Sequence, residues 1–275
     1  MSQVMGVLPD CPPDPAHQRR LLRLFRVSVI KQTKWRIISR LLGPTDGLRC
    51  LDIGSDNGVM SYLLRALGGS WASADLDEET ALAIRGMVGS DVLQFDGVSL
   101  PFPDAEFDRV VLVDCLEHVA DDLALAREVA RIVKPGAVVL INVPHRKDSL
   151  LRRFRLAIGQ TDEAHGHLRP GYTPAELTAL FEPAFRLERF TTYSKFFSEA
   201  VDTLITLAVR TLKGQPRGSV KGTVVTGADL SRHRGPMAFY TLLYPVVWLI
   251  AQADRLLWGR TGYMLIARAV AVERS

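Results

Sequence analysis

The segment Arg49–Ser61, RCLDIGSDNGVMS, constrains this chain more than any other stretch. Cys50, Leu51 and Ile53 suit a buried parallel strand, which runs straight into Gly54, Ser55, Asp56, Asn57 and Gly58 before apolar periodicity resumes at Val59. The pattern is strand, tight glycine turn, helix. Gly54 permits the sharp reversal, Gly58 permits close backbone approach, and the N–H groups opening the next helix favour an anionic or strongly polar ligand group. Surface turns also use glycine for steric reasons alone, so the turn by itself leaves the ligand open.

A second strand is predicted over Ser70–Asp75, SWASAD. Asp75 follows the first glycine by about 20 residues, where a fold of this kind places a carboxylate that accepts from both ribose hydroxyls. The alternative is a cap for a helix over Asp77–Val88, whose first turn is acidic.

The ordered runs LDIGSDNG, ADLDEE, QFDG, LPFPDAEFDRVVLVDCLEHV and VARIVKPGAVVLINVPH resemble the motif set of class I S-adenosylmethionine-dependent methyltransferases, especially the subgroup with the quinone-biosynthesis enzymes. The resemblance covers about Lys34–Phe190. It departs at Asp56, where the family usually has glycine. A nicotinamide-binding turn would instead show G-x-G-x-x-G without Asp52 ahead of it. The resemblance implies an α/β Rossmann-like sandwich with a seven-stranded, mostly parallel sheet, and S-adenosylmethionine as cofactor. It also implies site roles. Asp52 would fix the methionine amine through water, and the backbone of Gly54, Ser55, Asp56 and Gly58 would pass the methionyl portion. Asp75 with Leu76 would hold the ribose, and Asp96 with Gly97 the adenine. Asp114 and Leu116 would border the cofactor from the next strand end.

With 275 residues, 47% of them hydrophobic, the chain can bury a full core as one domain of moderate size plus an appendage. Cys11, Cys50 and Cys115 have no metal-type spacing and read as reduced thiols of a cytosolic protein. The proline-rich start, MSQVMGVLPDCPPDPAH, lacks the apolar core of a signal peptide, so secretion is not indicated. The net charge of +4 is uneven: Arg19, Arg20, Arg23, Arg26, Lys31, Lys34, Arg36 and Arg40 fall in a stretch without acidic residues. Arg19, Arg20, Arg23 and Arg26 oppose Leu21, Leu22, Leu24 and Phe25 on a basic amphipathic helix. Such a helix can lie on an anionic membrane, bind nucleic-acid phosphates, or cover the domain.

A break near Gln32 and Thr33 is expected, then a helix over Trp35–Leu42. Helices are predicted over Val59–Leu67 and Asp122–Val133, the latter stopped by Pro135-Gly136, with strands over Asp91–Phe95, Asp108–Val113 and Ala137–Val143. The Val/Leu runs make the last two central, so they deliver Asp114, Glu117, His118 and His145 to the ligand edge of the sheet. His145, His118 and His165 are the candidate acid–base residues should the acceptor carry a proton. The loop His165–Tyr172 fits no metal spacing. Thr173-Pro-Ala-Glu176 marks a helix start.

Strands over Arg186–Tyr193 and Gly262–Val272 close the sheet in the family as a hairpin, yet here Ser194–Thr261 intervenes. Phe196–Leu212 is apolar-rich and Met237–Ala253 is uncharged, and a linker carrying Lys213, Arg217, Lys221, Arg232 and Arg234 joins them. Met237–Ala253 is shorter than a membrane span, Pro245 interrupts it, and the last strand must rejoin the same sheet. A surface-inserted helix pair, anchored by Trp248, Trp258 and Tyr263, or a lid over the substrate, is the expectation. The chain therefore divides into an arm (1–33), a methyltransferase domain (34–193 and 262–275) and a helical insertion (194–261). The expected activity is methyl transfer to a hydrophobic, lipid-linked or prenylated acceptor, by an enzyme peripheral on the inner face of an anionic membrane. Two alternatives stand beside it: an RNA methyltransferase using the basic arm, although an RNA-binding platform is not evident, and a non-catalytic scaffold for a lipid or protein partner.

Overall fold

The computed structural model describes residues 6–163, 166–213 and 234–273. His165 and the linker residues Arg217, Lys221 and Arg232 lie outside them. The strands are β1 (Gly6–Val7), β2 (Arg49–Ile53), β3 (Ser70–Asp75), β4 (Val92–Gln94), β5 (Phe107–Val113), β6 (Val133–Pro144), β7 (Phe185–Tyr193) and β8 (Met264–Ala271). They form one open sheet in the order β1-β4-β3-β2-β5-β6-β8-β7. β2 pairs in parallel with β3 and β5, and β5 in parallel with β6, while β8 runs antiparallel to β6 and β7. The seven expected strands are present, and the two-residue β1 adds an antiparallel edge.

Helices α1 (Pro15–Arg26), α2 (Val29–Leu42), α3 (Val59–Arg65), α4 (Glu78–Val88), α5 (Asp122–Ile132), α6 (Leu150–Ala157) and α7 (Pro174–Phe181) flank the sheet. One core, around Leu51, Phe107, Leu112, Ile141 and Phe181, fills one face, and a second, around Ile38, Leu64, Trp71, Val111 and Leu140, fills the other. Thr173 caps α7 in a full capping box with Glu176.

Of the boundaries that differ from expectation, two have a plain local cause. The break between α1 and α2 falls at Val27–Ser28, because the Ser28 hydroxyl accepts the N–H of Lys31 and starts α2 there. Gln32 and Thr33 are inside the helix. Helix α5 ends at Ile132, ahead of Pro135-Gly136, since Val133 is already extended and paired with Phe107. The proline and glycine then sit within β6.

The apolar side of α1 is spent on the domain: Leu21, Leu22, Leu24 and Phe25 pack with Val59 and Met87, while Arg19, Arg20, Arg23 and Arg26 face solvent. Among the described residues the insertion holds α8 (Phe196–Lys213) and α9 (Arg234–Gln252), and α9 continues through Pro245. Its two ends are stapled together by Asp254, whose carboxylate accepts from the N–H groups of Lys195 (2.8 Å), Phe197 (2.8 Å) and Ser198 (3.3 Å) at the start of α8. Those donors have no intrahelical partners, and a carboxylate at a helix start is favoured electrostatically. Two bonds tie α9 to the α1–α2 corner: the Tyr240 hydroxyl donates to the Val27 carbonyl (2.7 Å), and Gln32 Nε2 to the Tyr244 hydroxyl (2.6 Å). Among the described residues, no helix is long and apolar enough to cross a membrane.

Candidate active site

Ile53 ends β2 between two parallel neighbours, and the chain reverses there. Gly54 takes φ +89°, and a Cβ on it would stand 2.4 Å from the Val113 carbonyl oxygen. Gly58 takes φ +77° at the cap of α3, where a Cβ would meet the Ile84 backbone at 2.7 Å. Both positions require glycine for conformation and for space. The result is a narrow backbone cradle opening onto the start of α3.

Asp52 lies beneath this turn with no solvent exposure. Oδ1 accepts from the hydroxyls of Ser55 and Ser61, Oδ2 accepts from Ser73 at 2.7 Å, and Arg65 stands 3.5 Å away. The carboxylate is thus built into the turn's foundation, and any influence on a ligand amine passes through Ser55 and the turn. Burial lowers the pKa of Arg65, and Asp52 works against that shift.

Asp56 occupies the left-handed region at φ +56°. Its half-exposed side chain faces Lys31, 4.0 Å away. At the end of β3, Asp75 is buried and its Oδ1 accepts the N–H of Leu76 at 2.7 Å. Asp96 is exposed, and its Oδ1 closes a local turn with the N–H groups of Val98 and Ser99. Gly97 follows at φ +89° against Leu76. The Leu116 side chain is buried in the core, so it offers the site backbone only.

At the end of β5, Asp114 sits at φ +46° and binds Lys34 and Asn142 through its two oxygens, and Asn142 accepts from the buried Tyr193 hydroxyl at 2.8 Å. Burial pushes the Tyr193 phenol well above its ordinary pKa, so it stays a donor. Lys34 is itself buried, and a buried ammonium needs such a partner. Sequence reasoning placed Lys34 at the domain boundary and passed over Asn142. A lone amide inside VVLINVP was the available signal.

His145 directs Nδ1 at the Gly262 carbonyl (2.9 Å), and His118 directs Nδ1 at the Gly166 carbonyl (2.9 Å). His118 also packs edge-on against His167. Glu117, His118 and His167 bring one ligating atom each within 4.8 Å of one another, a grouping compatible with a divalent cation that the linear spacing of the loop did not reveal.

A glycine cradle after the first central strand, a carboxylate ending the next strand, and a sheet closed by an antiparallel hairpin define a class I S-adenosylmethionine-dependent methyltransferase. The profile of the family described as a methyltransferase domain matches residues 17–184, and the chain belongs to that family. It is 29% identical over 144 residues to the ubiquinone biosynthesis O-methyltransferase of Parvibaculum lavamentivorans, covering 48% of this chain and 57% of that protein. It is 32% identical over 120 residues to the demethylmenaquinone methyltransferase of Clavibacter sepedonicus, covering 42% and 49% respectively. The matched stretch thus spans about half the length of these relatives. The same fold recurs in a methyltransferase from Bacillus halodurans (TM-score 0.58, 15% identity, 88% of this chain and 100% of that one). It recurs also in phosphoethanolamine N-methyltransferase 2 of Haemonchus contortus, solved with S-adenosyl-L-methionine (TM-score 0.53, 16% identity, 88% and 53%). S-adenosylmethionine fits the site: the cradle leaves no room for side chains at Gly54 and Gly58, and the buried Asp75 ends the adjacent strand.

Proposed function

We propose that the protein transfers a methyl group to a hydrophobic, prenylated or lipid-linked small molecule, working peripherally on the inner face of a membrane. One observation carries this reading: the insertion turns an apolar surface outward, with Leu242 76%, Leu249 66%, Leu256 77% and Trp258 87% exposed. Exposed apolar surface of this extent marks an interaction site, and tryptophan favours the membrane interface. Leu150 and Phe154 of α6 add to it. Attraction to anionic lipid then falls chiefly to the solvent-facing arginines of α1, because Arg152, Arg153 and Arg155 of α6 already face Asp162, Asp148 and Glu199.

In this reading the bound cofactor supplies an electrophilic methyl on a sulfonium. The chain's part is alignment and exclusion of water. The Gly54–Gly58 backbone admits the methionyl portion and Asp52 holds that turn through Ser55. Asp75 and Leu76 take the ribose, Asp96 and Gly97 the adenine, and Asp114, clamped by Lys34 and Asn142, borders the methyl. His118 shapes the pocket and His145 stands at the acceptor entrance.

Sedimentation with anionic vesicles tests the membrane component. Wild type is expected to co-sediment at low salt, and charge reversal at Arg19, Arg20, Arg23 and Arg26 to release much of it, at about 1 kcal/mol per basic residue near the surface. Equal sedimentation of both proteins would reduce α1 to a covering helix, and no sedimentation of either would favour a water-soluble acceptor.

A further inference from the structure

Helix α2 is anchored unequally along its length. Its second half is fixed by Ile38 and Leu42, which are buried with Trp71 and Leu140 in the core. Residues 29–33 include no buried side chain. This first half carries Lys31 and leads into Lys34, and the two lysines share one face at helical spacing. Lys31 faces Asp56 of the glycine turn at 4.0 Å, and Lys34 hydrogen-bonds Asp114 at the end of β5. The loosely packed half of α2 thus bridges the glycine turn and the end of β5.

The insertion grips the same half. The Tyr240 hydroxyl donates to the Val27 carbonyl at 2.7 Å, and Gln32 Nε2 donates to the Tyr244 hydroxyl at 2.6 Å. Burial pushes the Tyr240 phenol up to about 12, so it remains a donor at neutral pH. Val29 and Ile30 line one seam with Val201 and Ile205 of α8 and Val247 of α9. The insertion is itself rooted in the domain. Glu199 is buried between Lys147 (3.4 Å) and Arg155 (3.9 Å), which fasten α8 to the loop and helix after β6. The Tyr263 hydroxyl adds a bond to Asp202 of α8 at 3.2 Å. A rooted insertion can hold α2 down, whereas a freely moving one could not.

Resting on the cofactor site proposed above, we infer that the insertion holds α2 as a clasp over that site, with Tyr240 and Tyr244 as positioning residues for the cofactor. A ligand lying between the glycine turn and the end of β5 leaves when the first half of α2 lifts, which parts Lys31 from Asp56 and Lys34 from Asp114. The half-exposed Lys31 pair resists this weakly. The two bonds from α9 and the apolar seam therefore supply much of the hold, and the second half of α2, kept in the core by Ile38 and Leu42, serves as the fixed end. The insertion in this way does more than present an outer surface: it sets how tightly the cofactor is retained.

The test uses the full chain, with S-adenosylmethionine affinity read by titration calorimetry and local opening read by amide hydrogen exchange. Tyr240→Phe combined with Tyr244→Phe keeps both rings and removes both hydrogen bonds. The double variant is expected to bind S-adenosylmethionine about tenfold more weakly, the order set by two neutral hydrogen bonds. Exchange at residues 32–35 should quicken by about the same factor, while residues 38–42 and β2 keep wild-type protection. In wild type, S-adenosylmethionine should slow exchange at residues 32–35. Unchanged affinity in the folded double variant would overturn the clasp. Weaker binding without faster exchange at residues 32–35 would overturn it as well. So would protection lost evenly across the domain, since the tyrosines would then support the fold as a whole. Failure of wild type to bind S-adenosylmethionine would overturn the cofactor site itself and the clasp with it, an outcome read before any variant is compared.

Discussion

Lys34, on the second turn of α2, hydrogen-bonds the carboxylate of Asp114, which ends the central strand β5 in a left-handed conformation. Lys31, one turn earlier on the same helix, faces Asp56 in the glycine turn. One helix therefore reaches both the glycine turn and the end of β5. The two contacts differ in burial, and burial sets their worth. Lys34→Ala is expected to destabilise the protein by about 2 kcal/mol, as for a hydrogen bond between charged, partly buried groups. Lys31→Ala should change stability by less than about 0.5 kcal/mol, the exposed-pair range. Urea denaturation of the two variants checks the contrast, and equal effects would contradict it.

Asp75→Ala should weaken S-adenosylmethionine by about 1.5–3 kcal/mol, the loss expected for hydrogen bonds to a charged group. Titration calorimetry on the folded variant measures it. Unchanged affinity would remove Asp75 from the ribose site.

Asp52→Ala is expected to act on the turn first. It deprives three buried hydroxyls of their acceptor and leaves Arg65 without its carboxylate, a loss of about 3–5 kcal/mol when a buried charge loses its partner. The signature is a drop in melting temperature even without cofactor. A variant as stable as wild type that binds cofactor poorly would instead place Asp52 in direct contact with the ligand.

Acid should loosen the α5 side of the domain through Glu128. The Arg131 side chain hydrogen-bonds this carboxylate, burial opposes, and the Leu100 N–H assists, so the pKa in the folded state lies below the usual glutamate value. A lowered folded-state pKa means stability that is present above the unfolded value, about 4.3, and lost as pH falls through the folded one. Chemical denaturation between neutral pH and about pH 3 should therefore show a shallower acid slope in Glu128→Gln. Identical slopes would assign acid sensitivity to other carboxylates.

Leu249→Asp and Trp258→Asp, at exposed positions of the insertion, should impair turnover of a membrane-embedded acceptor while cofactor affinity stays within about twofold. Wild-type rates on vesicle-borne acceptor in folded variants would mean that the lipid enters elsewhere.

Local chemistry sufficed for much of this. The strand–turn–helix at Arg49–Ser61, the acid closing β3, the Val/Leu runs of β5 and β6 and the capping box at Thr173 are each written within a few residues, because steric demand, periodicity and capping act at short range. The α1–α2 corner was missed by several residues because Ser28 begins a helix through a single weak cap, and nothing in the basic run distinguishes that point from Gln32. What only the tertiary structure decided are encounters between distant segments: Lys34 with Asp114, Asn142 with Tyr193, Asp254 with the start of α8, and Asp202 with Tyr263. A buried charge must find a partner wherever the packing brings one, and packing is a property of the whole sheet edge, not of any window of sequence. The same reason explains α1, whose amphipathic pattern was equally suited to lipid, phosphate or protein until Val59 and Met87 claimed its apolar face.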